Sequence, residues 1–166
     1  MGGIEKILRV AERIQKDKNI VIVTIKVGSK KRIAQDLEDA VFPHDPNIRI
    51  LDVGLKGLLL LETSLPPLKL VRMLISRYPI RGIASYRPLL YWTKFRCKEE
   101  ELANLMVEHL RAIECKKIEV NVRLSNLDSD KLWRLVSSLY KDRNQDCVAS
   151  IEVVGDLAGI ALVFKP

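Results

Sequence analysis

The sequence predicts an α+β fold in two parts, and three observations lead there. Strand and helix patterns follow the order β-α-β-β-α-β over the first half of the chain; that order breaks off at about residue 93 into a helix, a strand and another helix; and the chain ends on an apolar hairpin, SIEVVGDLAGIALVFKP. The first pattern is the split βαβ of a ferredoxin-like unit. The second is a smaller α/β unit closed by the hairpin. A chain of 166 residues with 48% hydrophobic composition buries a proper core. Residues 1–93 and 94–166 are the expected domains, and with no Gly/Ser-rich linker between them they are expected to pack together.

Ile4, Ile7, Leu8, Ala11 and Ile14 recur at helical spacing, which makes the first segment an amphipathic helix. NIVIVTIKVG reads as a buried strand ending at Gly28, and Ser29 is placed to cap a helix that carries Ile33, Leu37, Ala40 and Val41 on one face. FPHDPN ends that helix. Strands over 48–53 and 58–63 follow, joined through Gly54 and Gly57. Pro66 and Pro67 open a second helix, because the first helical turn has no partner for the missing N–H, and Pro79 closes it. GIASYRPLLYW is a fourth strand, with Pro88 pointing to an edge or a bulge. Beyond it come a helix with Leu102, Leu105, Met106 and Leu110, an alternating strand Ile118, Val120, Val122 and a helix capped by Asp128. In the closing hairpin Gly155-Asp156 is the two-residue connection, and strands this poor in charge belong inside a sheet.

The charge is distributed unevenly. Of a net +7, the stretch from Thr63 to Lys98 supplies eight basic residues (Lys69, Arg72, Arg77, Arg81, Arg87, Lys94, Arg96, Lys98) and no acid, while the rest of the chain holds 20 basic against 21 acidic residues. Five of the nine aromatic side chains fall in the same stretch: Tyr78, Tyr86, Tyr91, Trp92 and Phe95. Interleaved cations and aromatics suit a surface that attracts phosphates and stacks bases. The alternative is a solvated charged face over aromatic core. Lys30, Lys31 and Arg32 open a helix against its dipole, which hints at an anion there.

An enzyme needs a constellation of groups, and none assembles. The sequence has no G-x-S-x-G, P-loop, G-x-G-x-x-G after a strand, or H-E-x-x-H. His109 falls near the apolar face of its helix, His44 sits in a loop, and Glu99, Glu100 and Glu101 suit a helix N-terminus. Cys97 lies among Arg96, Lys94 and Lys98, cations able to lower its pKa. Cys97, Cys115 and Cys147 stand far apart, which argues against a disulfide framework and a zinc site. No stretch approaches the roughly 18 apolar residues of a membrane span, and the N-terminus lacks a signal-peptide core. The expectation is a cytoplasmic protein that is not an enzyme and has no metal, cofactor or membrane partner.

VIVTIKVGSKKRIAQDLEDAV, GLKGLLLLETSLPPLKLVRMLISRYPIRGIASYRPL and the closing SIEVVGDLAGIALV resemble, in that order, THUMP-domain tRNA-binding proteins, in particular the stand-alone adaptors of tRNA cytidine acetylation. The resemblance spans roughly residues 20–166. It implies a ferredoxin-like domain beside a THUMP domain, recognition of the tRNA acceptor region, and an RNA cytidine acetyltransferase as partner. Two departures stand out: VNVRLSN leaves Arg123 alone where the family often has several cations, and RNQDCVAS replaces the acidic-proline segment before the hairpin. The expected RNA-binding residues are Arg87, Lys94, Arg96 and Lys98, extended by Arg123, Lys131 and Arg134, with Tyr86, Tyr91 or Trp92 as base-stacking platforms. Core packing is the competing role for Trp92.

TIKVGSKKRIAQDLE, GLKGLLLLET and YPIRGIASYRPL also resemble the NGN domain of NusG-type elongation factors, which implies RNA polymerase as partner. Such a domain is usually followed by a small all-β barrel, where residues 98–140 carry helix patterns instead.

Overall fold

The computed structural model describes residues 9–141 and 143–166. The chain divides into two units. One is Ile14–Leu89 with Phe164–Pro166; the other is residues 9–13 with Leu90–Val163.

The first unit is ferredoxin-like. It holds β1 (Asn19–Ile25), α1 (Lys30–Val41), β2 (Arg49–Leu51), β3 (Leu58–Thr63), α2 (Pro67–Arg77) and the first part of β4 (Ile83–Lys94). Its strands are ordered β2-β3-β1-β4 with antiparallel pairing, Val21 standing opposite both Leu61 and Pro88. The irregularity in the β1–β4 ladder falls between Thr24 and Ile25, away from Pro88. Ser29 caps α1 by accepting from Arg32 N at 3.3 Å, and Pro67 occupies the first turn of α2. The apolar faces of the two helices, Ile33, Leu37 and Val41 with Leu70, Val71 and Leu74, pack on Val21, Val23, Leu59 and Leu61.

A buried carboxylate ties the FPHDPN loop to the end of β3. Asp45 accepts from Thr63 Oγ1 at 2.7 Å, Ser64 N at 2.8 Å and Asn47 N at 3.1 Å. Burial alone would raise its pKa, but these hydrogen bonds hold the carboxyl below its ordinary value. Its folded-state pKa is depressed, so its stabilisation is present above the unfolded value of 3.8 and lost as pH falls through the folded one. Asp45→Asn should lower unfolding free energy by about 1–3 kcal/mol at pH 7. In urea titrations that difference should shrink as pH drops below 3.8; a difference independent of pH would contradict the charged network.

The second unit contains a 3-10 turn (Val10–Arg13), the end of β4, α3 (Glu99–Leu110), β5 (Cys115–Arg123), α4 (Ser129–Leu139), β6 (Gln145–Val154) and β7 (Leu157–Leu162). The strand order is β4-β7-β6-β5, with β5 and β6 parallel and β6 and β7 forming the hairpin. Gly155 has φ +60°, and its turn joins Val154 to Leu157. Leu102, Met106 and Leu110 of α3 and Leu132 and Val136 of α4 cover Ala149, Ile151, Val153, Ala158 and Ile160. The apolar hairpin is therefore core. On the opposite sheet face the fully buried Glu152 accepts from Arg123 Nη1 at 2.9 Å and Asn121 Nδ2 at 2.8 Å, and Ser150 also donates to it.

Two expectations need correcting. Cys115 and Cys147 form a disulfide, with Cα atoms 4.8 Å apart. Their separation of 32 residues hid the pairing, which the parallel neighbours β5 and β6 create by bringing their starts side by side. The expected N-terminal helix lies partly outside the described residues, and its described part includes the 3-10 turn, where Val10 and Ala11 are buried. No helix among the described residues is long and apolar enough to cross a membrane.

Candidate nucleic-acid interface

In the second unit the start of both helices and the hairpin turn surround a cleft of about 650 Å³. Its lining includes Arg96, Cys97 and Lys98 from the segment after β4, Ser125 and Asn126 from the β5–α4 loop, Lys131 of α4, and Asp156 of the hairpin turn. The local sequence explains how these meet. Phe95 N donates to Asp156 O at 2.9 Å, and Gly155 N donates to Arg123 O at 2.8 Å, so the hairpin turn anchors both neighbouring segments. Leu124 turns the chain out of β5 with φ +58°, and Asp128 caps α4 by accepting from Asp130 N and Lys131 N.

The helix starts contribute partial positive charge, which favours an anion. The acids at the cleft are engaged. Glu99 accepts from Asp128 N at 2.8 Å, a bond that holds its carboxyl below the ordinary value, and Asp156 Oδ1 accepts from Ala11 N at 2.8 Å. Lys131 bonds Glu100 at 2.7 Å, which lowers the carboxyl and raises the ammonium. Arg96 and Lys98 are exposed. Burial, then Glu101, pushes the Cys97 thiol up, so the nearby cations do not activate it.

Three of the expected residues, Arg96, Lys98 and Lys131, thus share one cleft. Arg134 is exposed nearly one turn further along α4, outside the lining. Lys94 is exposed and bonds Glu12 at 3.2 Å. Arg123 lies outside the lining, with its guanidinium 2.9 Å from the buried Glu152, an ion pair that a carboxylate shielded from water favours. Tyr91 stacks on His109 with centroids 3.5 Å apart and planes 13° apart, so one ring face is occupied. Tyr86 is not a stacking platform. It is 1% exposed in the first unit's core, and burial pushes its hydroxyl up to about 12. Arg87, also of the first unit, donates to Ser85 Oγ at 3.1 Å. Ser125, Asn126 and Asp156 were not expected in a site, although a polar run between a strand and a capped helix is the mark of a loop.

No protein-family model matches the chain, and no curated protein matches it by sequence. Its fold is similar to that of solved structures. PH1313 from Pyrococcus horikoshii Ot3 aligns with TM-score 0.62 and 19% identity over 89% of this chain and 55% of that one. SMU.472, described as a methyltransferase and complexed with SAH, aligns with TM-score 0.51 and 10% identity over 90% and 42%. A Listeria monocytogenes protein described as an N6-adenine-specific DNA methylase aligns with TM-score 0.51 and 8% identity over 88% and 40%. This chain therefore spans about half the length of the structures it resembles. The likeness corrects the expectation that the chain is not an enzyme: its fold occurs within proteins described as methyltransferases, so a missing catalytic motif does not exclude an enzyme.

Proposed function

We propose that the chain is an RNA-binding protein that seats the acceptor region of a tRNA in the cleft of its second unit and so delivers it to a modifying activity. The observation that carries this reading is the convergence of Arg96, Lys98 and Lys131 on one cleft between two helix starts. The finer reading, a THUMP-type adaptor working with an RNA cytidine acetyltransferase in the cytoplasm, rests on the sequence resemblance. A fold shared with larger chains described as methyltransferases, two-fifths of whose length it covers, suits a substrate-recognition part. In place of the all-β barrel expected beside an NGN domain stand α3 and α4, which favours tRNA over RNA polymerase.

The test is fluorescence anisotropy with folded tRNA across a salt series. If about four phosphates are neutralised, log affinity should fall against log salt with a slope of roughly −3 to −4. Replacing Arg96, Lys98 and Lys131 together by Ala should weaken binding more than tenfold and flatten the slope by about two units. A flat salt response, or capture of RNA polymerase with no tRNA binding, would overturn the proposal.

A further inference from the structure

A second cationic surface lies on the first unit, at the end where three connections meet. The β1–α1 loop, the β2–β3 loop and the α2–β4 loop are joined by main-chain bonds: Ile25 N donates to Gly57 O at 2.8 Å, and Lys26 N and Val27 N both donate to Gly82 O, at 2.8 and 3.3 Å. Two glycines permit this approach. Gly57 and Gly82 have φ of +74° and +100°, and a Cβ at Gly82 would run into the carbonyl of Val27. The loop end is therefore assembled by the backbone before any ligand arrives.

The side chains this scaffold presents are strongly basic. Lys26 and Lys30 come from the first connection and its helix, Lys56 from the second and Arg81 from the third, with Lys31, Arg32 and Arg77 adjoining them. Two of these cations have carboxylate partners: Lys30 bonds Asp52 at 2.9 Å and Arg32 bonds Asp36 at 2.7 Å. Lys26, Lys31, Lys56, Arg77 and Arg81 are all exposed and have no salt bridge among the described residues. A small cleft of about 250 Å³ runs between Lys26, Lys30 and Lys56 past Gly28 and Gly57. At its rim Val27 is 62% exposed, an apolar contact amid the charges.

Several cations on a preorganised surface fit a polyanion better than a single small anion, because Lys26, Lys56 and Arg81 lie on three different loops and can meet different parts of a chain of phosphates. We propose that this loop end is a phosphate-backbone docking surface for RNA, separate from the cleft of the second unit. The proposal rests on the RNA reading above. It adds sequence-independent affinity and orients the nucleic acid along the first unit, while the cleft takes the end of the strand.

One variant per loop tests it: Lys26→Gln, Lys56→Gln and Arg81→Gln combined in the full chain, with Arg111→Gln, Lys117→Gln and Lys141→Gln as a charge-matched control. Folded tRNA is the probe, and circular dichroism melts check the fold. The loop variant should bind tRNA at least tenfold more weakly and lose about one to two units of salt slope, with the control much closer to wild type. If the loop variant fails to fold, the single charge reversal Lys26→Glu replaces it and should weaken binding at least threefold. Wild-type binding that both triple variants weaken equally would overturn the docking surface and leave the cleft standing. Absence of wild-type tRNA binding would overturn both, and retention on anionic phospholipid vesicles in that case would assign the charge to a membrane surface instead.

Discussion

Reducing the Cys115–Cys147 bond should lower the unfolding free energy by about 3–4 kcal/mol, from the loop-closure entropy that a cross-link of this span removes from the unfolded chain. The bond joins residues 32 apart and encloses most of β5, all of α4 and the polar loop before β6. For a chain of this size the loss corresponds to a fall in Tm of roughly 10 °C. Thermal melts with and without dithiothreitol measure it, with Cys115→Ala/Cys147→Ala as the unreducible comparison. The two should agree to within the small packing loss at Cys115, which is fully buried. Equal melts in oxidant and reductant would show that the thiols are not bonded in solution. The bond is compatible with the proposed cytoplasmic setting where intracellular proteins retain disulfides, as hyperthermophiles do; in a reducing cytosol its stabilisation is absent.

Much of this fold is legible in the sequence, because the signals that specify it are local. Ser29 and Asp128 sit where side-chain oxygens cap helices, Pro67 where a first turn tolerates proline, and Gly155 where a hairpin turns. The apolar spacing of Leu102, Met106 and Leu110 and the alternation of β5 locate the core faces in the same way. What the sequence does not reveal depends on pairing between distant segments. The disulfide follows from the register of β5 on β6, and the burial of Tyr86 follows from its place between β1 and the returning Phe164, to which its backbone N–H donates at 2.8 Å.

The candidate site shows the same division. A run of cations from residues 69 to 98 is visible as composition, but it is dealt out to different surfaces: Arg81 to the loop end of the first unit, Arg96 and Lys98 to the cleft of the second. Lys131, 33 positions beyond Lys98, reaches the same cleft because the β5–α4 loop returns to the start of α3, where Glu99 accepts from Asp128 N. No pattern of spacing along one strand or helix encodes that meeting.

Arg123→Ala should destabilise the protein by about 1–3 kcal/mol, rather than act mainly on RNA affinity. The reason lies in Glu152, whose side chain has no exposure and whose Oε1 is 2.9 Å from the guanidinium. Removing one partner from a buried charged acceptor costs about 1–3 kcal/mol, and the quarter exposure of the Arg123 side chain, with the bonds Glu152 keeps from Asn121 and Ser150, holds the loss within that range. Glu152→Gln added to Arg123→Ala removes the buried charge that Arg123 faced, keeps an oxygen to accept from Asn121 and should recover part of the loss. A double-mutant cycle by urea unfolding isolates the coupling, expected to exceed 1 kcal/mol. Binding of tRNA by the refolded Arg123→Ala protein, measured well below its midpoint, should fall less than threefold. Full stability with a tenfold loss of affinity would reverse the assignment and return Arg123 to the RNA surface that its position before the Ser125–Asn126 loop suggests.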